Sequence, residues 1–145
     1  MIDVNIADIL PHAGRMVLLD KVIKYDQQTM VVETRVRKDG LFDDGQTVPA
    51  WLGIEYMAQA VAAHGGMMRY LAGKPINIGF LLGTRRYNSN TSSFNVGDLL
   101  TITVERLIED QGLSAFACQI VGNGIDISAK LNVYQPNEID NRIFS

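Results

Sequence analysis

Residues 50–72, AWLGIEYMAQAVAAHGGMMRYLA, constrain the fold more than any other part of the chain. Good helix formers dominate the run, and only Ile54 and Val61 are β-branched. Apolar residues fall on nearly every face of the helix this pattern predicts, which marks a helix at the centre of a domain rather than on its surface. Small residues, among them Ala58, Ala62, Gly65 and Gly66, allow neighbours to approach closely, and Gly65-Gly66 predicts a weak point or kink. Gly73 followed by Lys74-Pro75 predicts the stop. One residue is out of place. Glu55 sits in this apolar run, and burying a carboxylate is costly unless it is hydrogen-bonded or used.

Nearly all the other strong signals read as strand. Met16–Lys24 and Met30–Lys38 predict a hairpin across the YDQQT turn. Gly40–Pro49 is rich in turn formers, with Asp44-Gly45 the clearest signal. After the helix, strands are expected within Ile76–Tyr87, over Leu99–Ile108, over Leu113–Val121 and over Ile125–Tyr134, the EDQG and GNG segments forming turns. Gly79 and Gly83, four apart, share a strand face and suit a close approach of backbone or ligand. Val4–Ile9 predicts a short helical turn ended by Pro11. The order strand, strand, long helix, then about four strands has no βαβ rhythm. It predicts an α+β fold, a curved antiparallel sheet of five to six strands wrapped around one long central helix, as a single domain over residues 1–145. One helix cannot cover both faces and edges of such a sheet, so a partner chain is expected.

The bulk numbers agree. The chain has 145 residues, the size of one domain, and its 20% charged content is low enough to fit surface buried against another chain. A net charge of -3 excludes a general nucleic-acid binder. No run approaches the length of a membrane-spanning helix and the N-terminus is not a signal peptide, so a cytoplasmic protein is expected. The single cysteine, Cys118, rules out an intramolecular disulfide and reads as a small buried thiol. No His, Asp and Glu cluster has metal-ligand spacing, and no metal is expected.

Three segments carry a family resemblance. Val48-Pro49-Ala50-Trp51-Leu52-Gly53-Ile54-Glu55-Tyr56-Met57-Ala58-Gln59 resembles the central-helix start of hot-dog-fold 3-hydroxyacyl-(acyl carrier protein) dehydratases, with an acid one and a half turns in and Gln four residues later. Leu10-Pro11-His12 with Met16–Val22 resembles the family's N-terminal signature, and Val96-Gly97-Asp98-Leu99-Leu100 its entry to a late strand. Within the family the chain is most similar to the small dehydratase-like proteins linked to bacterial aryl polyene lipid synthesis. The resemblance implies a homodimer or a heterodimer with another hot-dog subunit, sheets joined edge to edge, and an acyl tunnel at the interface. It also implies an acyl carrier protein as partner, with the substrate on its phosphopantetheine and no further cofactor. One departure stands out. The position of the family's loop histidine, fourteen residues before the acid, is Leu41, followed by Phe42 and Asp43.

The resemblance assigns roles. Glu55 becomes the acid that protonates a departing hydroxyl, kept protonated by apolar surroundings, its alternatives being a carboxylate that faces a polar cleft or an ion pair with an arginine across the dimer. His12 is either a structural histidine near the tunnel mouth or the base that replaces the missing one. Family dimers take base and acid from different subunits. Backbone N–H groups at Ala50 and Trp51 are the expected oxyanion donors. His64 lies nine residues after Glu55, on the opposite helix face and about 13 Å along the axis, which reads as core or interface. Of Arg85 and Arg86, adjacent in a strand, only one can face inward to hold a carrier phosphate or acidic surface, helped by Arg15 or Lys21; a solvated face is the alternative. Trp51, Phe42 and Phe80 line the tunnel or pack the core. The implied activity is dehydration of a 3-hydroxyacyl thioester to the 2-enoyl thioester. Alternatives are a non-catalytic partner of a hot-dog dehydratase and an acyl thioesterase.

Overall fold

A computed structural model describes residues 4–12, 17–37, 46–76 and 79–135. Its strands are β1 (Lys21–Tyr25), β2 (Thr29–Arg35), β3 (Thr47–Pro49), β4 (Phe80–Ser89), β5 (Ser93–Asn95), β6 (Leu99–Asp110), β7 (Leu113–Gly122) and β8 (Ile125–Tyr134). The helix α1 spans Gly53–Leu71, preceded by a 3-10 turn at Ala50–Leu52; a second 3-10 turn covers Ile6–Asp8. The main sheet has six strands in the order β1-β2-β6-β7-β8-β4, and all its described pairings are antiparallel. It wraps α1, the arrangement of a hot-dog fold.

Alternation explains the core. Along β8, Ile125, Ile127, Ala129, Leu131 and Val133 are buried while the residues between them face outward. Inward residues of β6 and β7, such as Ile102, Val104, Phe116 and Ile120, meet Met57, Ala60, Val61 and Met67 of α1 in one apolar cluster. Tyr56 tilts against Phe94 of β5, ring centroids 5.8 Å apart, and so ties the helix to the small β3–β5 ladder.

Several expected boundaries move for local reasons. β1 starts at Lys21 rather than Met16, which lies outside the described residues with Asp44-Gly45 and the tail after Gln135. Leu18 stays off the ladder because its N–H donates to Gln59 Oε1 and its carbonyl accepts from Thr34 and Arg37 side chains. The EDQG turn tightens to Gln111-Gly112, with φ of 52° and 88°, a two-residue hairpin loop closed by the Asp110–Leu113 pair. α1 runs as one continuous helix through Gly65-Gly66. The glycine serves proximity: a Cβ on Gly66 would lie 2.7 Å from the Ile9 carbonyl carbon and nearer still to its oxygen. Gly79 and Gly83 do not act together, because a register shift between Leu81 and Gly83 breaks the alternation; Gly83 has open space beside it.

His64 is a core residue, 2% exposed. Its Nε2 donates toward the carbonyls of Asp26 and Gln27 at 3.2 and 3.0 Å, and its ring meets Phe116 edge-on. Burial pulls its pKa below the ordinary 6.5. The unfolded chain therefore binds a proton that the folded chain resists. The contribution is fully present above pH 6.5 and is lost as pH falls below it. Urea unfolding from about pH 7.5 to about pH 5.5 should show falling stability, and His64→Gln, which keeps a donor but does not titrate, should flatten that slope. An unchanged slope in the variant would assign the effect to other groups.

Candidate functional site

Glu55, Ala58 and Ala62 lie on one face of α1 and form the floor of a cavity of about 180 Å³. The short alanine side chains leave the groove open. Pro11 and His12 of the N-terminal arm, Gly79, Phe80 and Leu81 at the start of β4, and Val133 and Gln135 at the end of β8 complete its lining. Acid and imidazole thus meet on a largely apolar wall. His12 Nε2 stands 3.6 Å from Glu55 Oε1. His12 Nδ1 is buried with no hydrogen-bond partner among the described residues.

Glu55 is held from behind. Leu18 N–H donates to Gln59 Oε1 at 2.9 Å, and Gln59 Nε2 donates to Glu55 Oε1 at 3.0 Å. Gln59 is fully buried, one helical turn after Glu55 on the same face, so its amide direction is set by the Leu18 backbone. The segment bearing Leu18 is anchored by Arg37, which donates to the carbonyls of Val17 and Leu18 and lies 3.5 Å from Asp20. The Gln59 position was legible in the helix motif; its role as the link between arm and acid was not.

Other expectations change. His12 and Glu55 of the same chain approach each other, a proximity the sequence did not predict. The Glu55 side chain is 42% exposed in the isolated chain, so it is not enclosed in apolar surroundings. The Ala50 N–H is engaged, donating to the Ser92 carbonyl at 3.0 Å, so it is not free to be the oxyanion donor expected there. Neither Arg85 nor Arg86 turns inward; both are exposed. Arg86 has φ of 54° beside a register shift between Arg85 and Asn88, which suspends simple alternation. Arg85 stands opposite Lys130, away from the cavity lining. Lys21 pairs with Glu33 at 3.4 Å. Phe80 lines the cavity, whereas Trp51 is 55% exposed and absent from its lining. Phe42, Leu41, Asp43 and Arg15 lie outside the described residues. Burial pushes the Cys118 thiol up to about 12, which makes it a poor nucleophile. No helix among the described residues is long and apolar enough to cross a membrane.

A curved antiparallel sheet wrapped on a single central helix is a hot-dog fold, and in this chain Glu55 lies in the first turn of that helix. The chain belongs to the ApeP-like dehydratase family, described as ApeP dehydratase, which matches residues 4–144 and is related to aryl polyene synthesis. Among solved structures it is similar to a chain of the dehydratase heterocomplex ApeI:P from Xenorhabdus doucetiae. The identity is 30%, the match covers 98% of this chain and 97% of that one, and the TM-score is 0.85. More distant likenesses show the fold alone. One is a hypothetical thioesterase with coenzyme A from Streptococcus pneumoniae TIGR4 (13% identity, 81% and 85% coverage, TM-score 0.62). Another is the E. coli PaaI protein (15% identity, 78% and 80% coverage, TM-score 0.59). No curated protein matches the chain.

Proposed function

We propose that this chain is a catalytic subunit that dehydrates 3-hydroxyacyl thioesters on acyl carrier protein to 2-enoyl thioesters, in aryl polyene-type synthesis in the cytoplasm. The observation that carries the reading is the 3.6 Å approach of His12 and Glu55 in a cavity lined by both polar and apolar residues. Elimination needs a base for the proton next to the thioester carbonyl and an acid for the departing hydroxyl. His12 takes the α-proton, the carbon–oxygen bond at the β-carbon breaks, and Glu55 donates its proton so that water leaves. The imidazolium and carboxylate that remain are close enough for the proton to return from His12 to Glu55, restoring both. Charge that develops on the thioester oxygen is assigned to the positive end of the helix, at the start of α1. Phe80 supplies apolar wall for the acyl chain. Arg85, outside the cavity, is retained as a contact for the acidic carrier rather than for the acyl group.

The working form is a heterocomplex, as the Xenorhabdus doucetiae dehydratase is by name, here with a second hot-dog subunit. β4 is an outer strand of the sheet and presents exposed Phe80, Leu81 and Leu82, which suits edge-to-edge joining there. A second reading, a non-catalytic partner, is favoured by Leu41 at the position of the family's loop histidine. Incubating the complex with 3-hydroxyacyl carrier protein and weighing the product by mass spectrometry separates the possibilities. Loss of water supports dehydration, and a released free thiol means thioester hydrolysis. Unchanged dehydration after joint replacement of His12 and Glu55 would assign the chemistry to the partner.

A further inference from the structure

Ala50 opens the 3-10 turn that leads into α1, and the backbone of this one residue is held from both sides by the β4–β5 segment. Its N–H donates to the Ser92 carbonyl at 3.0 Å, and its carbonyl accepts from the Tyr87 hydroxyl. Gly53 makes room for that hydroxyl, because a Cβ on Gly53 would collide with it. Tyr87 reaches inward from an outer strand because β4 is irregular there. The register with β8 shifts between Arg85 and Asn88, and Arg86 has φ of 54°, a left-handed conformation that a non-glycine residue rarely adopts. Burial raises the Tyr87 pKa, so its hydroxyl keeps the proton it donates.

From this geometry we infer that Tyr87 is a positioning residue for the candidate site: its hydroxyl fixes the start of α1 and thereby the place of Glu55. Two physical links carry the effect. The carbonyl of Ala50 and the N–H of Trp51 belong to one planar peptide, so fixing one sets the direction of the other. Glu55 lies in the first turn of α1, so rotation or fraying of that turn moves its carboxyl relative to His12, which is held by a different segment. A displacement of about 1 Å in a catalytic group is enough to cost about a hundredfold in rate. The inference rests on the dehydratase reading for its kinetic readout, and has a second readout that does not.

The test uses the full chain with its hot-dog partner. Tyr87→Phe keeps the ring and removes only the donor. About a tenfold fall in kcat is expected, with KM within twofold, because the carrier and the acyl wall are untouched. Gly53→Ala is expected to lower both stability and kcat, since its methyl displaces the hydroxyl. Adding Tyr87→Phe to Gly53→Ala should restore most of the stability without restoring kcat, because the nearest atom in the way is then gone, leaving the yielding tip of Ile120, and so is the hydrogen bond. A purely packing role predicts that stability and rate recover together, which would overturn the inference. Backbone hydrogen exchange at residues 51–56 supplies the independent readout. Tyr87→Phe should speed it about tenfold there and leave β6–β8 unchanged. Unchanged exchange at residues 51–56 overturns the inference whatever the activity. An inactive wild-type complex with faster exchange in the variant rejects the dehydratase reading and keeps the positioning role.

Discussion

Glu55→Gln is expected to lower dehydration of a 3-hydroxyacyl carrier protein by roughly a thousandfold, within the range that loss of a general acid produces. The amide keeps the size of the carboxyl and has no acidic proton to give. It also turns a donor or a weaker acceptor toward Gln59 Nε2, which now donates to Glu55 Oε1 at 3.0 Å. Assembly with the partner should persist, since the change lies on the cavity floor and not on the β4 edge. His12→Gln should produce a loss of similar size, because the proton removed from the substrate then has no imidazole to receive it. Single-turnover measurements on the purified complex, with gel filtration to verify assembly, check both. Turnover within threefold of wild type for either variant would remove that residue from the chemistry.

Gly66→Ala is expected to cost about 3 kcal/mol of stability, at the upper end of ordinary overpacking, because the new methyl meets backbone rather than a side-chain tip. The Ile9 carbonyl cannot rotate away as a side chain can. The arm bearing Ile9 and Leu10, both buried, must lift off the helix, and Pro11 and His12 follow it in sequence. The variant should therefore lose activity beyond what its folded fraction explains. A denaturation midpoint shift together with a fall in kcat per folded molecule would support this. A variant as stable as wild type would show that the arm yields without strain.

These two positions also show what was legible in the sequence and what was not. The long apolar run around Glu55 announced a central helix because its pattern is local and repeats over several turns. β8 was legible to its end residues, since one buried face alternating with one exposed face leaves a period of two. The proximity of His12 to Glu55 was not legible as geometry. The two are far apart in the chain, and the bare backbone of Gly66, where a Cβ would meet the Ile9 carbonyl, lets the arm that carries His12 come close to the helix; the pattern marks Gly66 as a place of close approach without saying which segment approaches. Tyr87 left no signal, because its inward turn depends on a single positive φ at Arg86 in a run that otherwise reads as regular strand. The Ala50 N–H looked available from the motif alone. Its partner, the Ser92 carbonyl, comes from a loop whose course depends on how β4 and β5 are placed.

That acid and imidazole share one chain has a consequence for how such an assembly changes over time. An enzyme that splits the two groups between subunits ties both genes to a single distance, and neither surface can drift alone. Here the 3.6 Å separation is produced by the folding of one polypeptide. On the dehydratase reading proposed above, a neighbouring subunit is then free to lose, alter or specialise its own chemistry while this cavity keeps the pair. The number of such pairs in any mixed assembly equals the number of copies of this chain it contains.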